Sequence, residues 1–182
     1  MELKEKLVSS FIAFENQISL DNTFVHNMRT EAIKRFETKG FPVKKDEAWK
    51  YTSLGKVLKQ DFSVFPKTEF AVEYKDVQPY FIHDIDSYKI VFVDGKYASH
   101  LSETTHDGID ICLMSAALSK PKYSLVIENY FNKIAEKNGL TSLNTAFTNE
   151  GAYIHITKNK LVEKPIQIIH FSTGREAALL LQ

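Results

Sequence analysis

The first forty residues predict two amphipathic helices. Asp21 and Asn22 are suitable N-caps for the second helix. Gly40 favours a left-handed helix stop, and Pro42 prevents continuation. We therefore expect an antiparallel pair of helices with facing apolar stripes. Those stripes recur at helical spacing and consist of Leu3, Leu7, Phe11, Phe14 and Ile18 in the first helix and Phe24, Met28, Ala32 and Phe36 in the second.

The clearest strand signal lies in the middle of the chain. Asp94-Gly95 is a two-residue hairpin turn between the apolar run Tyr88–Val93 and a return strand over Lys96–Leu101. This register puts Ile90 on a core face and Val91 on a mixed face. The sequence therefore predicts one β-hairpin within a largely helical region.

Weaker signals surround this hairpin. Residues 41–60 predict a compact connector of short helical turns, and Ile109–Leu113 predicts a short strand. Pro121 opens a further helix, which Gly139 is expected to close. The predicted apolar stripe of that helix consists of Tyr123, Ile127, Tyr130 and Ile134.

After Leu143 the pattern changes to strands and turns. Three apolar runs, at Ala152–Thr157, Pro165–Phe171 and Ala177–Leu181, start roughly twelve residues apart, which suits a β-meander or the first coils of a β-solenoid. If they form a meander, the first two runs pair as a hairpin about Asn159-Lys160.

The predicted fold class is α+β. A mostly helical N-terminal domain with a β-hairpin occupies residues 1–143, and residues 144–182 begin a β-structure that they do not complete. The apolar ending Leu179–Gln182 would leave an unpaired strand edge, which native domains avoid. We expect further chain in the natural protein, and we expect this piece to self-associate or to cover the edge with its own helices.

Composition excludes several classes of protein. Of 182 residues 43% are hydrophobic and 12% aromatic, enough for a packed core. Lys and Arg balance Asp and Glu at 23 each, so overall charge gives no case for nucleic acid or an anionic membrane as partner. No apolar run is long enough to span a bilayer, and the N-terminus lacks a signal-peptide core. The single cysteine, Cys112, excludes an internal disulfide and fits a reducing compartment, so we expect a cytoplasmic protein.

The candidate chemical groups predict no enzyme and no metal site. His100, His106 and Cys112 are six residues apart, wider than the pairs that structural zinc sites use. His155 and His170 would not meet in a simple hairpin, and no nucleophile is marked beside His83. The chain has no Gly-rich phosphate loop, no GxSxG and no HExxH motif.

One segment is locally basic. Residues 29–59 hold nine Lys and Arg against four Asp and Glu, a net charge of +5, with Trp49 and Tyr51 interleaved. That composition is typical of nucleic-acid surfaces. It also fits a solvated helix face followed by a connector with buried aromatics, and we prefer this second interpretation.

Three stretches together resemble the SufD family, subunits of the SufBCD iron–sulfur cluster assembly scaffold. The most specific is Gly40-Phe41-Pro42 followed by the run Asp46–Leu54, which reads DEAWKYTSL. The others are Val91–Gly95 with Leu101-Ser102, and Leu143–Phe147 with Gly151, Ile154, Ile156, the run Glu163–Ile166 and His170.

The resemblance implies a mostly helical N-terminal domain, then a right-handed parallel β-helix core and a C-terminal helical region. It also implies that the core pairs with a SufB-like homologous subunit and that the C-terminal region docks a SufC-like ATPase. Residues for cluster handling lie beyond this stretch, so no catalytic, cofactor or metal role carries over, and the cluster is handled by the whole complex. The motif positions, expected to be structural, are Gly40, Pro42, Glu47, Trp49, Lys50 and Tyr51.

Alternative functions remain open at this point. A carbohydrate-active β-helix enzyme with a helical leader would need clustered carboxylates, and the predicted strands offer Glu163 alone. A nucleic-acid-binding module would use residues 29–59. Direct partner contact is the alternative to a structural role for Trp49 and Tyr51.

Overall fold

The computed structural model describes residues 2–18, 22–64, 71–103, 106–134 and 136–174. Within these ranges the chain forms α1 (Leu3–Glu15), α2 (Thr23–Lys39), α3 (Tyr74–Val77), α4 (Met114–Leu118), α5 (Pro121–Tyr130) and α6 (Gly139–Ala146). Its strands are β1 (Tyr88–Val93), β2 (Lys96–Tyr97), β3 (Ile109–Leu113), β4 (Ala152–Ile156) and β5 (Ile166–Phe171). Short 3-10 helices span Glu47–Trp49, Gln78–Tyr80 and Ser99–Leu101. The predicted mixed α+β class is confirmed.

The chain divides into two compact units. The first contains the described residues within Met1–Pro66 and Leu125–Asn149, and the second those within Lys67–Ser124 and Glu150–Glu176. Each unit takes residues from both sides of residue 143, where a domain boundary was expected. That boundary concerns the longer protein and stays a prediction.

The helical stripe predicted for α1 is confirmed for its first four residues, whereas Ile18 lies beyond the end of the helix and is half-buried. Leu3, Leu7, Phe11 and Phe14 are buried in the core of the first unit, together with Phe36 of α2 and with Leu143, Ala146 and Phe147 at α6. The Asn22 side chain caps α2, accepting the backbone amides of Phe24 and Val25 at 3.0 and 3.2 Å. Asp21, the other expected cap, lies outside the described residues.

The buried stripe of α2 differs from the prediction by one position in its first half. Val25 and Arg29 are buried where Phe24 and Met28 were expected, and both of those are only half-buried. The cause is Arg29, which is 1% exposed and donates from Nε to the Thr148 carbonyl at 2.6 Å. A pattern based on hydrophobicity scores arginine as polar and therefore assigns the wrong face.

Two glycines that were both expected to end helices behave differently. Gly40 ends α2 with φ of 66°, as predicted. Gly139 instead begins α6, a helix that the sequence did not predict. The preceding helix α5 ends at Tyr130, and Asn132 follows it with φ of 57°, in the left-handed region. Because α5 ends early, Tyr130 and Ile134 of its predicted stripe are exposed.

The predicted turn at Asp94-Gly95 is confirmed, with φ values of 45° and 84°. The return strand β2 is only two residues long, and Ser99–Leu101 forms a 3-10 helix instead. Ser102 explains the difference, because its Oγ accepts the Val91 amide at 2.9 Å where a longer partner strand would have paired.

The later strands pair with earlier ones, so β4 and β5 do not form the hairpin that the meander alternative requires. β4 is antiparallel to β3, and β5 is parallel to β1 in a sheet of order β2-β1-β5. Ile90 and Val91 of β1 are both fully buried, because apolar layers cover both faces of this central strand. The described strands form these two small sheets, and a β-helix stays a proposal for the longer protein. The third apolar run, Ala177–Leu181, lies outside the described residues.

Candidate interaction surface

The family-like motif falls in a connector, residues 41–64, whose two ends are held in the core of the first unit. At one end Phe41 lies edge-on to Phe36, with ring centroids 5.1 Å apart. At the other end Val64 is buried, and Lys6 of α1 donates to Asp61 Oδ1 at 2.7 Å and to the Phe62 carbonyl at 2.6 Å. The Asp61 pKa is lowered by its hydrogen bond with Lys6 and by the charge of that lysine. The connector is therefore a fixed surface feature between two anchored ends.

The middle of the connector exposes several motif side chains. Asp46 begins the 3-10 helix at Glu47–Trp49, but its carboxylate accepts the Val43 amide at 2.9 Å and makes no side-chain cap to that helix. Tyr51 is 92% exposed, and Lys50 Nζ lies 5.5 Å from the centre of its ring. The buried position expected for the Tyr51 ring is therefore wrong, and the ring is accessible to a partner.

The six motif positions do not converge on one site. Gly40 is buried, Pro42 and Trp49 are half-buried, and Glu47, Lys50 and Tyr51 are exposed. They are spread over a buried glycine and an exposed loop, and so they do not form one cluster of side chains. The structural role expected for these positions stays a prediction.

Folding redistributes the positive charge of residues 29–59. Arg29 is buried with Glu15 Oε1 at 3.2 Å from its Nη1, and its pKa is lowered by burial against the opposing effect of that carboxylate. Arg35 pairs with Glu31, and Lys39 donates to the Lys137 carbonyl at 2.6 Å. Seven lysines of this segment form no salt bridge with any described residue: Lys34 and Lys39 in α2, and Lys44, Lys45, Lys50, Lys56 and Lys59 in the connector. Most of the positive charge without an ion-pair partner therefore lies on the connector surface, and a smaller share lies on α2.

A groove runs beside the connector, where it meets the first turn of α1. Its apolar lining comes from Leu3, Phe41 and Leu58, and Lys4 and Lys59 also line it. The groove has a volume of about 840 Å³, within the size range of ligand-binding clefts.

The histidines and the cysteine weighed for metal binding are dispersed. His100 Nε2 lies 3.0 Å from the Val72 carbonyl oxygen, and His106 packs on the Tyr88 ring with centroids 4.5 Å apart. Cys112 lies in β3, where burial raises the pKa of its thiol and so disfavours the thiolate that binds metals. In the part of the chain that the structure describes, no group of three or more His, Cys, Asp or Glu side chains could hold a metal ion.

Sequence reasoning missed a polar network on the β3–β4 sheet of the second unit. Asp110 of β3 accepts a short hydrogen bond from the Tyr123 hydroxyl, and His155 Nδ1 of β4 lies 3.4 Å from the same carboxylate oxygen. The hydrogen bond to Asp110 raises the pKa of Tyr123 to about 12. The same bond lowers the pKa of Asp110, and His155 lowers that pKa further by a smaller amount.

The sequence does contain a signal for this network. Apolar and polar residues alternate in both IDICL and AYIHI, so each strand has one polar face. The antiparallel register, with Asp110 opposite His155 and Cys112 opposite Tyr153, puts those faces on the same side. The partners of the two strands could not be read from the alternation, since each strand could have paired elsewhere.

The comparison that decides the family covers nearly the whole chain. The family model described as the SufBD protein N-terminal region matches residues 1–168. The chain belongs to the SufBD family. The resemblance inferred from the motif at residues 40–54 is thereby confirmed at the level of an N-terminal SufBD region.

A curated relative extends the comparison. The SufBD-family chain is 22% identical over 163 residues to an iron–sulfur cluster assembly SufBD family protein of Synechocystis sp.. The alignment covers 89% of this chain and 36% of the relative, so the chain spans about a third of the length of the curated protein it matches. Within the described residues of the SufBD-family chain, no helix is long and apolar enough to cross a membrane.

Proposed function

We propose that this chain is the N-terminal part of a non-catalytic, SufD-like scaffold subunit in a SufBCD-type complex for iron–sulfur cluster assembly. The observation that carries the proposal is the SufBD N-terminal match over residues 1–168. The Synechocystis relative is named as an iron–sulfur cluster assembly protein, which supports a role in the same process. The partners would be a SufB-like subunit and a SufC-like ATPase, engaged mainly through regions beyond this chain, in the cytoplasm and without nucleic acid or membrane.

The free edge of β5 supports the proposal that further strands continue this sheet into a scaffold core. β5 pairs with β1 along its whole length, and within the described ranges no strand pairs with its other edge. Its sequence, IQIIHF, has no charged residue and no proline, the devices that usually protect an edge. We infer that residues 144–182 begin a right-handed parallel β-helix that follows an N-terminal domain over residues 1–143, and that further strands extend from this region.

The cluster would be handled by the whole complex, with no cofactor held by this stretch. Burial of Cys112 in β3 supports this part of the proposal, because it raises the pKa of the thiol and so disfavours the thiolate that binds metals.

Co-expression of the full-length protein with a SufC-like ATPase and a SufB-like subunit tests the function. We expect the three proteins to co-purify through an affinity tag on one of them and to elute together in size-exclusion chromatography. A full-length protein that elutes alone, while the other two remain folded and associated, would refute the scaffold proposal.

A further inference from the structure

The groove between α1 and the connector combines an apolar lining with cations that lack acidic partners. Lys6 is neutralised by Asp61, 2.7 Å away, whereas neither Lys4 nor Lys59 forms a salt bridge with a described residue. A ligand with carboxylates for these two lysines and apolar groups for the lining would match both properties.

The connector beside the groove carries a net positive charge, because its lysines outnumber the exposed Asp46 and Glu47. Lys44, Lys45, Lys50 and Lys56 belong to the same connector and are exposed. Exposed apolar side chains accompany them, with Tyr51 at 92%, Val43 at 55% and Val57 at 45%. The connector surface thus offers cations for carboxylates beside apolar groups for hydrophobic contacts.

We propose that this groove, together with the exposed connector, is a docking site for an acidic segment of a partner protein that carries apolar side chains. The inference rests on the proposed scaffold function and names the chemistry of one partner contact. A nucleic acid fits less well, because the lining of Leu3, Phe41 and Leu58 is apolar and offers nothing to a phosphate backbone.

Lys4→Glu combined with Lys59→Glu reverses the two groove cations. The matched control is Lys133→Glu with Lys158→Glu, two exposed lysines outside this groove. Circular dichroism and the melting temperature of each double variant report whether it folds, so a loss of binding can be separated from unfolding.

The probe is a fluorescein-labelled peptide that alternates Glu and Leu, titrated with the full-length protein by anisotropy. We expect saturable binding that weakens as salt is added, about tenfold weaker affinity in the groove variant, and unchanged affinity in the control. Trp49, the single tryptophan of the chain, gives an independent fluorescence signal from the connector.

Four results would overturn the docking site: no peptide binding, equal loss in groove and control variants, equal binding of a peptide with Lys in place of Glu, or tighter binding of a single-stranded oligonucleotide. Pull-down of the groove variant with the ATPase and the homologous subunit separates the two proposals. Suppose that the wild type assembles with both partners, and that the groove variant assembles and binds the peptide as well as the wild type does. The docking site is then wrong, and the scaffold function stands. If the wild type does not assemble, the scaffold function fails whatever the peptide does.

Discussion

Replacing Gly139 with alanine tests the packing of α6 against the end of α2. A Cβ at this position would lie 1.8 Å from the carbonyl oxygen of Gly40. That oxygen belongs to the residue that ends α2, and the Gly40 amide donates to the Phe36 carbonyl at 2.7 Å. The obstacle is therefore anchored backbone, which must move by about 1.2 Å to reach even the 3.0 Å below which real Cβ contacts essentially never occur.

Two opposing effects set the change in the free energy of unfolding that Gly139→Ala should cause. Overpacking of a well-packed site costs roughly 1–3 kcal/mol, and rigid backbone favours the upper end. Alanine recovers up to about 1 kcal/mol through its higher helix propensity. We expect Gly139→Ala to reduce the free energy of unfolding by about 2 kcal/mol, which corresponds to a melting temperature roughly 4–8 °C lower for a chain of this length.

Gly151→Ala is the matched control, because a Cβ there meets no atom within 4 Å and its φ is not positive. The same chemical change should be neutral or should stabilise by up to about 1 kcal/mol, since alanine has less conformational freedom to lose on folding. Urea unfolding followed by circular dichroism measures both variants. If Gly139→Ala is as stable as the wild type, or if both variants shift stability in the same direction, the close approach of α6 to Gly40 is wrong.

Three further substitutions probe the remaining findings. Arg29→Met leaves the Glu15 carboxylate without its buried partner, so urea unfolding should show a loss of about 3 kcal/mol. Tyr123→Phe removes the hydrogen bond to Asp110. In the wild type, folding raises the Tyr123 pKa from about 10 to about 12, so this bond stabilises the folded state below pH 10. That stabilisation is lost as the pH rises from about 10 to about 12. The loss in stability over that range, measured by urea unfolding, should be smaller in the variant. Trp49→Ala should lower the melting temperature if the half-buried ring is structural.

Each of these substitutions has a control. Arg35→Met breaks an exposed i,i+4 pair with Glu31 and should cost no more than about 0.5 kcal/mol, so an equal loss in both arginine variants would contradict the buried pair. Tyr130→Phe alters a 70% exposed ring and should keep the alkaline loss of stability; the same loss in Tyr123→Phe would argue against the bond to Asp110. Unchanged stability of Trp49→Ala with weaker subunit binding would assign that ring to a partner contact instead.

Local signals in the sequence were enough for several elements. The stripe of α1, the Asn22 cap, the stop at Gly40 and the turn at Asp94-Gly95 each depend on residues within about one or two turns of chain. The strand Ile109–Leu113 was also predicted correctly. The short motif at residues 40–54 pointed to the family, because its unusual residues lie close together.

Tertiary structure alone decided the features that join distant residues. Arg29 became a core residue because Glu15 and Thr148 supply its partners, 14 positions before it and 119 after it. Asp110, Tyr123 and His155 come from three different elements, and they meet only through the β3–β4 register and the placement of α5. β5 became the parallel neighbour of β1, not the hairpin partner of β4, because a strand that is apolar on both faces gains most as the centre of a sheet. The alternation of hydrophobic and polar residues indicates which face of a strand is buried. Which other strand it pairs with depends on packing across the whole unit.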